Sequence, residues 1–144
     1  MNVLFVCTGN TCRSPLAEAI ARRVARERGL EGYTFSSAGT DAVEGAATED
    51  TIAVARERGL DLTAFRSRRL TRDLAGEADV VVVMAEHHLA DPALADLPQA
   101  ALFAGGPVRD PYGLGPGAYR QTYEQLERAV GDLLDELEAK RVTN

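Results

Sequence analysis

The chain has 144 residues, 45% hydrophobic, 26% charged and 6% aromatic, a balance that suits one folded domain and excludes a disordered chain. Sixteen Lys and Arg against 22 Asp and Glu leave a net charge of -6, which repels polyphosphate and argues against a general nucleic-acid binder. The longest apolar stretch, Val80 to Ala85, is too short to span a bilayer, and Met1-Asn2-Val3-Leu4 has no signal-peptide character. Two cysteines, Cys7 and Cys12, make no disulfide framework, so a cytoplasmic protein with reduced thiols is expected, with no membrane partner.

In chain order, Val3-Leu4-Phe5-Val6 reads as a strand buried on both faces. The turn Thr8-Gly9-Asn10-Thr11 follows. Ser14-Pro15 then opens a helix, with Ser14 expected as N-cap and Pro15 at the first helical position. Leu16, Ala19, Ile20 and Val24 give that helix its apolar face, and Gly29 stops it. Tyr33-Thr34-Phe35-Ser36 predicts a second strand, ending at the Ala38-Gly39 turn. A second helix is expected from about 48 to 58, stopped by Gly59. Residues 61–69 read as a polar, basic loop, and Thr71 starts a short helix. Asp79-Val80-Val81-Val82-Val83-Met84 is the strongest strand, and 100–104 is a weaker fourth, broken by Gly105-Gly106-Pro107. A Gly- and Pro-rich loop, 108–117, leads into a long amphipathic helix from about 118 to 140. No repeat or linker divides the chain, so residues 1–144 are expected as a single domain. The alternation predicts an α/β fold in three layers: a four-stranded parallel sheet with helices on both faces. Ligands of such sheets bind beyond the carboxyl ends of the strands.

The first strand ends in Cys7-Thr8-Gly9-Asn10-Thr11-Cys12-Arg13-Ser14-Pro15. A strand, a tight turn and a helix start of this kind aim consecutive backbone N–H groups and a helix dipole at one point. Gly9 and Asn10 are the residue types that tolerate left-handed backbone angles there. Arg13, six positions after Cys7, can fork two donors onto a tetrahedral oxyanion. The loop Thr8, Gly9, Asn10, Thr11, Cys12, Arg13 and Ser14 therefore reads as phosphate-binding. Cys7 at its floor reads as a thiolate nucleophile for phosphorus, helped by the Ser14 hydroxyl. Zinc at Cys7 and Cys12 would need two more ligands, and His87-His88 offer no matching spacing, so no metal is expected. A nucleotide phosphate loop would end in Gly-Lys-Ser/Thr, which is absent.

Cys7 to Arg13 forms a Cys-x5-Arg signature which, with Val6 before it and Ser14-Pro15 after it, resembles the low-molecular-weight protein-tyrosine phosphatase family. Asp110-Pro111-Tyr112-Gly113, about a hundred residues downstream, matches the family's second marker, and the likeness spans nearly the whole chain. The resemblance implies Cys7 as nucleophile, Arg13 as phosphate clamp and Asp110 as general acid and then general base. It also implies that Pro111 shapes the acid loop, that Tyr112 lines the pocket mouth, and that Asn10, Ser14 and Ser37 support the phosphate loop. No cofactor is implied. The partners implied are phosphorylated protein substrates, met by a monomer. Phe65 stands where family members often carry a histidine that buttresses the loop asparagine, so loop rigidity is expected to come from elsewhere. Arg66, Arg68 and Arg69 nearby form a small basic run, read either as a solvated loop or as a guide for an anionic substrate.

Thr11 stands where tyrosine-specific members usually place an aliphatic residue, and Cys-Thr-Gly-Asn-Thr-Cys-Arg-Ser-Pro resembles the family's bacterial protein-arginine phosphatases. A threonine hydroxyl can meet a polar guanidinium edge, whereas an aliphatic wall favours an aromatic ring. Tyr119-Arg120-Gln121-Thr122 fits that subgroup, while Leu114 replaces a glycine of its pattern. Thr11 and Tyr112 are thus the expected specificity residues, with phosphoarginine favoured and phosphotyrosine the alternative. An arsenate-reductase-like relay would need cysteines after Cys12, and a mere phosphate-binding module would lack Cys7 or Asp110. Cys7 and Cys12 are close enough in sequence to form a reversible redox pair.

Overall fold

Alternation along one apolar run buries both faces of the first strand. In the computed structural model, which describes residues 1–143, β1 (Asn2–Cys7) sends Val3, Phe5 and Cys7 to one side and Leu4 and Val6 to the other. β2 (Thr34–Gly39) and β3 (Val80–Val83) flank it, and β4 (Ala100–Leu102) completes the order β2-β1-β3-β4, every pair parallel. Val6 pairs with Ala38 and Val83, and Cys7 with Gly39, so three strands finish level with Cys7 at the central one.

On the Phe5 side, α1 (Arg13–Glu27), α2 (Glu49–Glu57) and α4 (Pro116–Thr143) supply Leu16, Ile20, Val54, Leu126 and Val130 to the larger core. The Leu4 side is covered by α3 (Arg72–Glu77) and its surroundings, through Leu70, Ala75, Ala78 and Leu94. The expected three layers are all present. No helix among the described residues is long and apolar enough to cross a membrane.

Both glycine stops hold for one physical reason. Gly29 and Gly59 take positive φ (67° and 79°), which lets Leu30 N bond to Ala25 O and Leu60 N to Ala55 O, each at 2.8 Å. Thr71 caps α3 by accepting from Leu74 N at 3.1 Å.

Several boundaries differ from the sequence reading. α1 starts at Arg13 with Cys12 at the N-cap, so Ser14 lies in the first turn, buried, with its hydroxyl turned to the site. β2 starts at Thr34 and runs on to Gly39, because Tyr33 leaves the ladder to stack on Phe35 and to donate to Glu138. β4 is shorter than expected and α4 longer at both ends. Two 3₁₀ turns, Glu86–Ala90 and Pro92–Leu94, carry the chain from β3 to β4 where no element was expected.

Candidate active site

The loop leaving β1 and the loop before α4 meet in a pocket of about 240 Å³ lined by Cys7, Thr8, Gly9, Thr11, Cys12, Arg13, Asp110 and Tyr112. The amides of Gly9, Asn10, Thr11 and Cys12 donate to no protein acceptor among the described residues. Unpaired backbone donors are rare in folded proteins, and a curved row of them beside a helix N-terminus suits an oxyanion. Arg13 is only 5% exposed. Its guanidinium donates to Val108 O at 3.1 Å and lies 3.8 Å from the Asp110 carboxylate, so it bridges the two loops.

Asn10 is the keystone of the first loop. It alone of the pair Gly9-Asn10 takes the left-handed conformation (φ 55°), contrary to the expectation for Gly9. Its Nδ2 donates to Ser14 Oγ at 2.8 Å and to Ser37 Oγ at 3.0 Å. Ser37 Oγ in turn donates to Glu18 Oε1 at 2.8 Å. Ser14 Oγ, already accepting from Asn10, sits 2.9 Å from Cys7 Sγ, so its proton is directed at the sulfur. Asn10 Oδ1 accepts from Arg68 N and Asn10 O from Ser67 Oγ, both at 2.9 Å. The loop support absent at Phe65 is thus supplied two and three residues later. Phe65 itself packs against the larger core.

Gly39 makes this closeness possible. A Cβ there would lie 2.4 Å from Thr8 O and 2.9 Å from Asn10 N, both backbone atoms. Beyond it, Gly39 N donates to Arg68 O and Leu70 N to Gly39 O, fastening the basic segment to the end of β2. Arg68 is therefore structural, its Nε donating to Ser37 O at 3.0 Å, while Arg66 and Arg69 stay exposed with acidic partners at 4.0 Å.

The other wall is held from α2 and α4. Thr11 O accepts from Thr48 N at 3.2 Å and from Thr51 Oγ1 at 2.8 Å. Cys12 Sγ lies 3.2 Å from the hydroxyl of buried Tyr119, whose acidity is pushed down by burial and by that sulfur neighbour. Both cysteines are free thiols. Asp110 stands on the open side, its side chain 54% exposed, and accepts from Tyr112 N at 3.1 Å. Tyr112 is exposed at the mouth. Leu114 is exposed too, and its amide donates to Pro111 O, so the departure at that position leaves the turn closed.

One residue beside the site escaped the sequence reading. His88 is 1% exposed, and its Nε2 lies 2.9 Å from Thr8 Oγ1. Burial first, then His87 and Arg13, push its pKa down to about 4. The available signal was topological: in a parallel sheet, residues just after Met84 fall beside residues just after Cys7. Ser67, Thr48, Thr51, Tyr119 and Glu18 were likewise not singled out as loop supports. No group of three or more potential metal ligands occurs among the described residues.

Residues 2–143 match the model of the family described as low molecular weight phosphotyrosine protein phosphatase. A protein-arginine-phosphatase of Bacillus subtilis (strain 168) is 32% identical, the alignment covering 98% of this chain and 99% of that protein. The low molecular weight protein-tyrosine-phosphatase PtpB of Staphylococcus haemolyticus (strain JCSC1435) is also 32% identical, covering 92% and 97%. Among solved structures, a YwlE arginine phosphatase mutant with a phosphorylated active-site serine superposes with a TM-score of 0.91 at 32% identity, covering all of both chains. The chain belongs to the low-molecular-weight phosphotyrosine protein phosphatase family, a family of cysteine-dependent protein phosphatases.

Proposed function

We propose that this phosphatase prefers phosphoarginine to phosphotyrosine and works through a phosphocysteine on Cys7. The loop amides and Arg13 hold the three non-bridging phosphoryl oxygens, and Cys7 Sγ attacks phosphorus in line with the leaving group. As the P–N bond breaks, Asp110 gives its proton to the departing guanidino nitrogen. Asp110 then takes a proton from water, which attacks phosphorus and releases phosphate and the Cys7 thiolate. The Ser14 hydroxyl, 2.9 Å from Cys7 Sγ, stabilises that thiolate as nucleophile and as leaving group. The YwlE relative with a phosphorylated active-site serine supports a covalent route.

The observation that carries the substrate preference is Thr11. It lines the pocket with a hydroxyl-bearing side chain, and its carbonyl is anchored by Thr48 and Thr51. A hydroxyl wall offers a guanidinium edge a polar partner, which an aliphatic wall cannot. The near full-length likeness to proteins named arginine phosphatases points the same way. Phosphotyrosine is the second reading, favoured by the exposed Tyr112 ring at the mouth. The same proposal takes residues 1–144 as one domain acting as a cytoplasmic monomer on phosphorylated proteins, without metal or cofactor. Turnover of matched phosphoarginine and phosphotyrosine peptides, compared side by side as kcat/KM, tests the preference. A higher value for phosphotyrosine overturns it.

A further inference from the structure

His88 is a buried titratable group that the chemistry above leaves unused, yet both of its ring nitrogens are engaged. The Ala85 amide donates to Nδ1 at 3.1 Å, and Nε2 lies 2.9 Å from Thr8 Oγ1. A backbone amide can only donate, so Nδ1 is the acceptor and the neutral ring carries its proton on Nε2. Nε2–H therefore donates to Thr8 Oγ1. That leaves the single Thr8 hydroxyl proton without a protein acceptor among the described residues. Thr8 itself lines the pocket beside Cys7 and Arg13.

We propose that His88 is a positioning residue: Ala85 sets its tautomer, its Nε2–H holds Thr8 Oγ1, and the Thr8 hydroxyl proton is thereby offered to the bound phosphoryl group. Thr8 becomes a side-chain donor added to the row of backbone amides. The device works only with a neutral ring, since a second proton on Nδ1 would point at the Ala85 N–H. The surroundings enforce neutrality. Burial, His87 with its ring centroid 4.1 Å away, and Arg13 favour the neutral ring and outweigh the Ala85 backbone contact and Asp110, which favour the charged one. The proposal rests on the phosphoryl site assigned above.

The test measures kcat, KM and inhibition by inorganic phosphate with p-nitrophenyl phosphate as substrate. The variants are Thr8→Val, Thr8→Ser, His88→Leu, His88→Gln and the double change Thr8→Val with His88→Leu. Loss of one hydrogen bond to a charged group predicts roughly ten- to a hundredfold weaker phosphate inhibition and lower kcat/KM in Thr8→Val. Thr8→Ser keeps the hydroxyl and recovers most of both. His88→Leu loses the same two parameters to a smaller extent, the double variant is no worse than Thr8→Val, and His88→Gln, which retains a donor, recovers. Melting temperatures separate these effects from unfolding, and the Thr8 pair is informative even where His88→Leu does not fold. Wild-type phosphate inhibition in Thr8→Val, or a His88→Leu loss that persists in full on top of Thr8→Val, overturns the proposal. Failure of the underlying phosphoryl site looks different, because phosphate would then not inhibit the unmodified protein.

Discussion

Two loops meet over Cys7, and they are held in opposite ways. The phosphate loop is ringed by buried polar contacts, with Asn10 bonded to Ser14, Ser37, Ser67 and Arg68 at once. The Asp110 loop is open and tied mainly at its root, where Val108 N donates to Met84 O and Val108 O accepts from Arg13. Its carboxylate and Tyr112 face solvent. The difference suits the role that the proposed mechanism gives each loop. Donors aimed at a tetrahedral anion work only if they are fixed before it arrives, which demands a fully satisfied network in a low-dielectric setting. A group that delivers a proton and then receives one from water must stay accessible. Damage to the first loop should therefore spread, whereas damage to the second should stay at the changed group.

The largest break comes at the point both loops serve. Cys7→Ser is expected to abolish turnover while inorganic phosphate or vanadate still binds, because the amides and Arg13 survive. A phosphoryl group trapped on Cys12 of the unmodified protein would refute the assignment. Next in size, Asp110→Asn should slow a poor leaving group by about 10²–10⁴-fold and p-nitrophenyl phosphate far less. Equal losses on both would make Asp110 structural.

Gly39→Ala tests whether damage spreads from behind the phosphate loop. Its Cβ would sit 2.4 Å from Thr8 O, and overpacking of this kind costs about 1–3 kcal/mol. A lower melting temperature together with weaker phosphate binding is expected, although Gly39 itself lies outside the pocket lining. Unchanged phosphate binding would mean that the loop holds its shape without this contact. Smaller again, Thr11→Ile should shift the phosphoarginine-to-phosphotyrosine ratio of kcat/KM by roughly ten- to a hundredfold toward phosphotyrosine. A parallel loss on both substrates would make Thr11 a shaping residue only.

A last effect concerns the pH dependence of stability. His88 stays neutral in the folded protein down to about pH 4, while its unfolded counterpart takes a proton near 6.5. Between those values the unfolded state binds more protons, so stability falls as pH drops from about 6.5 toward 4. His88→Gln should flatten that fall in denaturant titrations across the window. Identical slopes in both proteins would show that His88 titrates normally.

Residues 7–14 were legible because their chemistry is local. A buried strand, a left-handed Asn and a helix start within eight positions leave few other geometries, and Cys7, Arg13 and Ser14 fall where that geometry puts them. Gly29 and Gly59 were legible for the same reason, since a helix stop is decided within six residues. The N-cap expected at Ser14 is not what the structure shows. Ser-Pro looked like a cap, but the helix starts two residues earlier than Pro15, at Arg13, and Ser14 is buried against Cys7 and Asn10.

The contacts that support the site escaped the sequence because nothing local marks them. The Asn10–Ser37 pair was implied by the resemblance, but Asn10 also meets Ser67 across 57 positions and Arg68 across 58, Thr8 meets His88 across 80, and Arg13 meets Val108 across 95. Their partners are a serine, a loop amide, one of two adjacent histidines and a carbonyl, groups that occur throughout any chain. By itself the sequence determined the family, through two motifs: the Cys7-to-Arg13 signature and the Asp110-Pro111-Tyr112-Gly113 stretch far downstream. Only the tertiary structure decided which groups hold the phosphate loop still. Parallel strands of level ends bring the residues after Cys7, Gly39 and Val83 to one crevice, and that convergence is a property of the sheet, not of any segment.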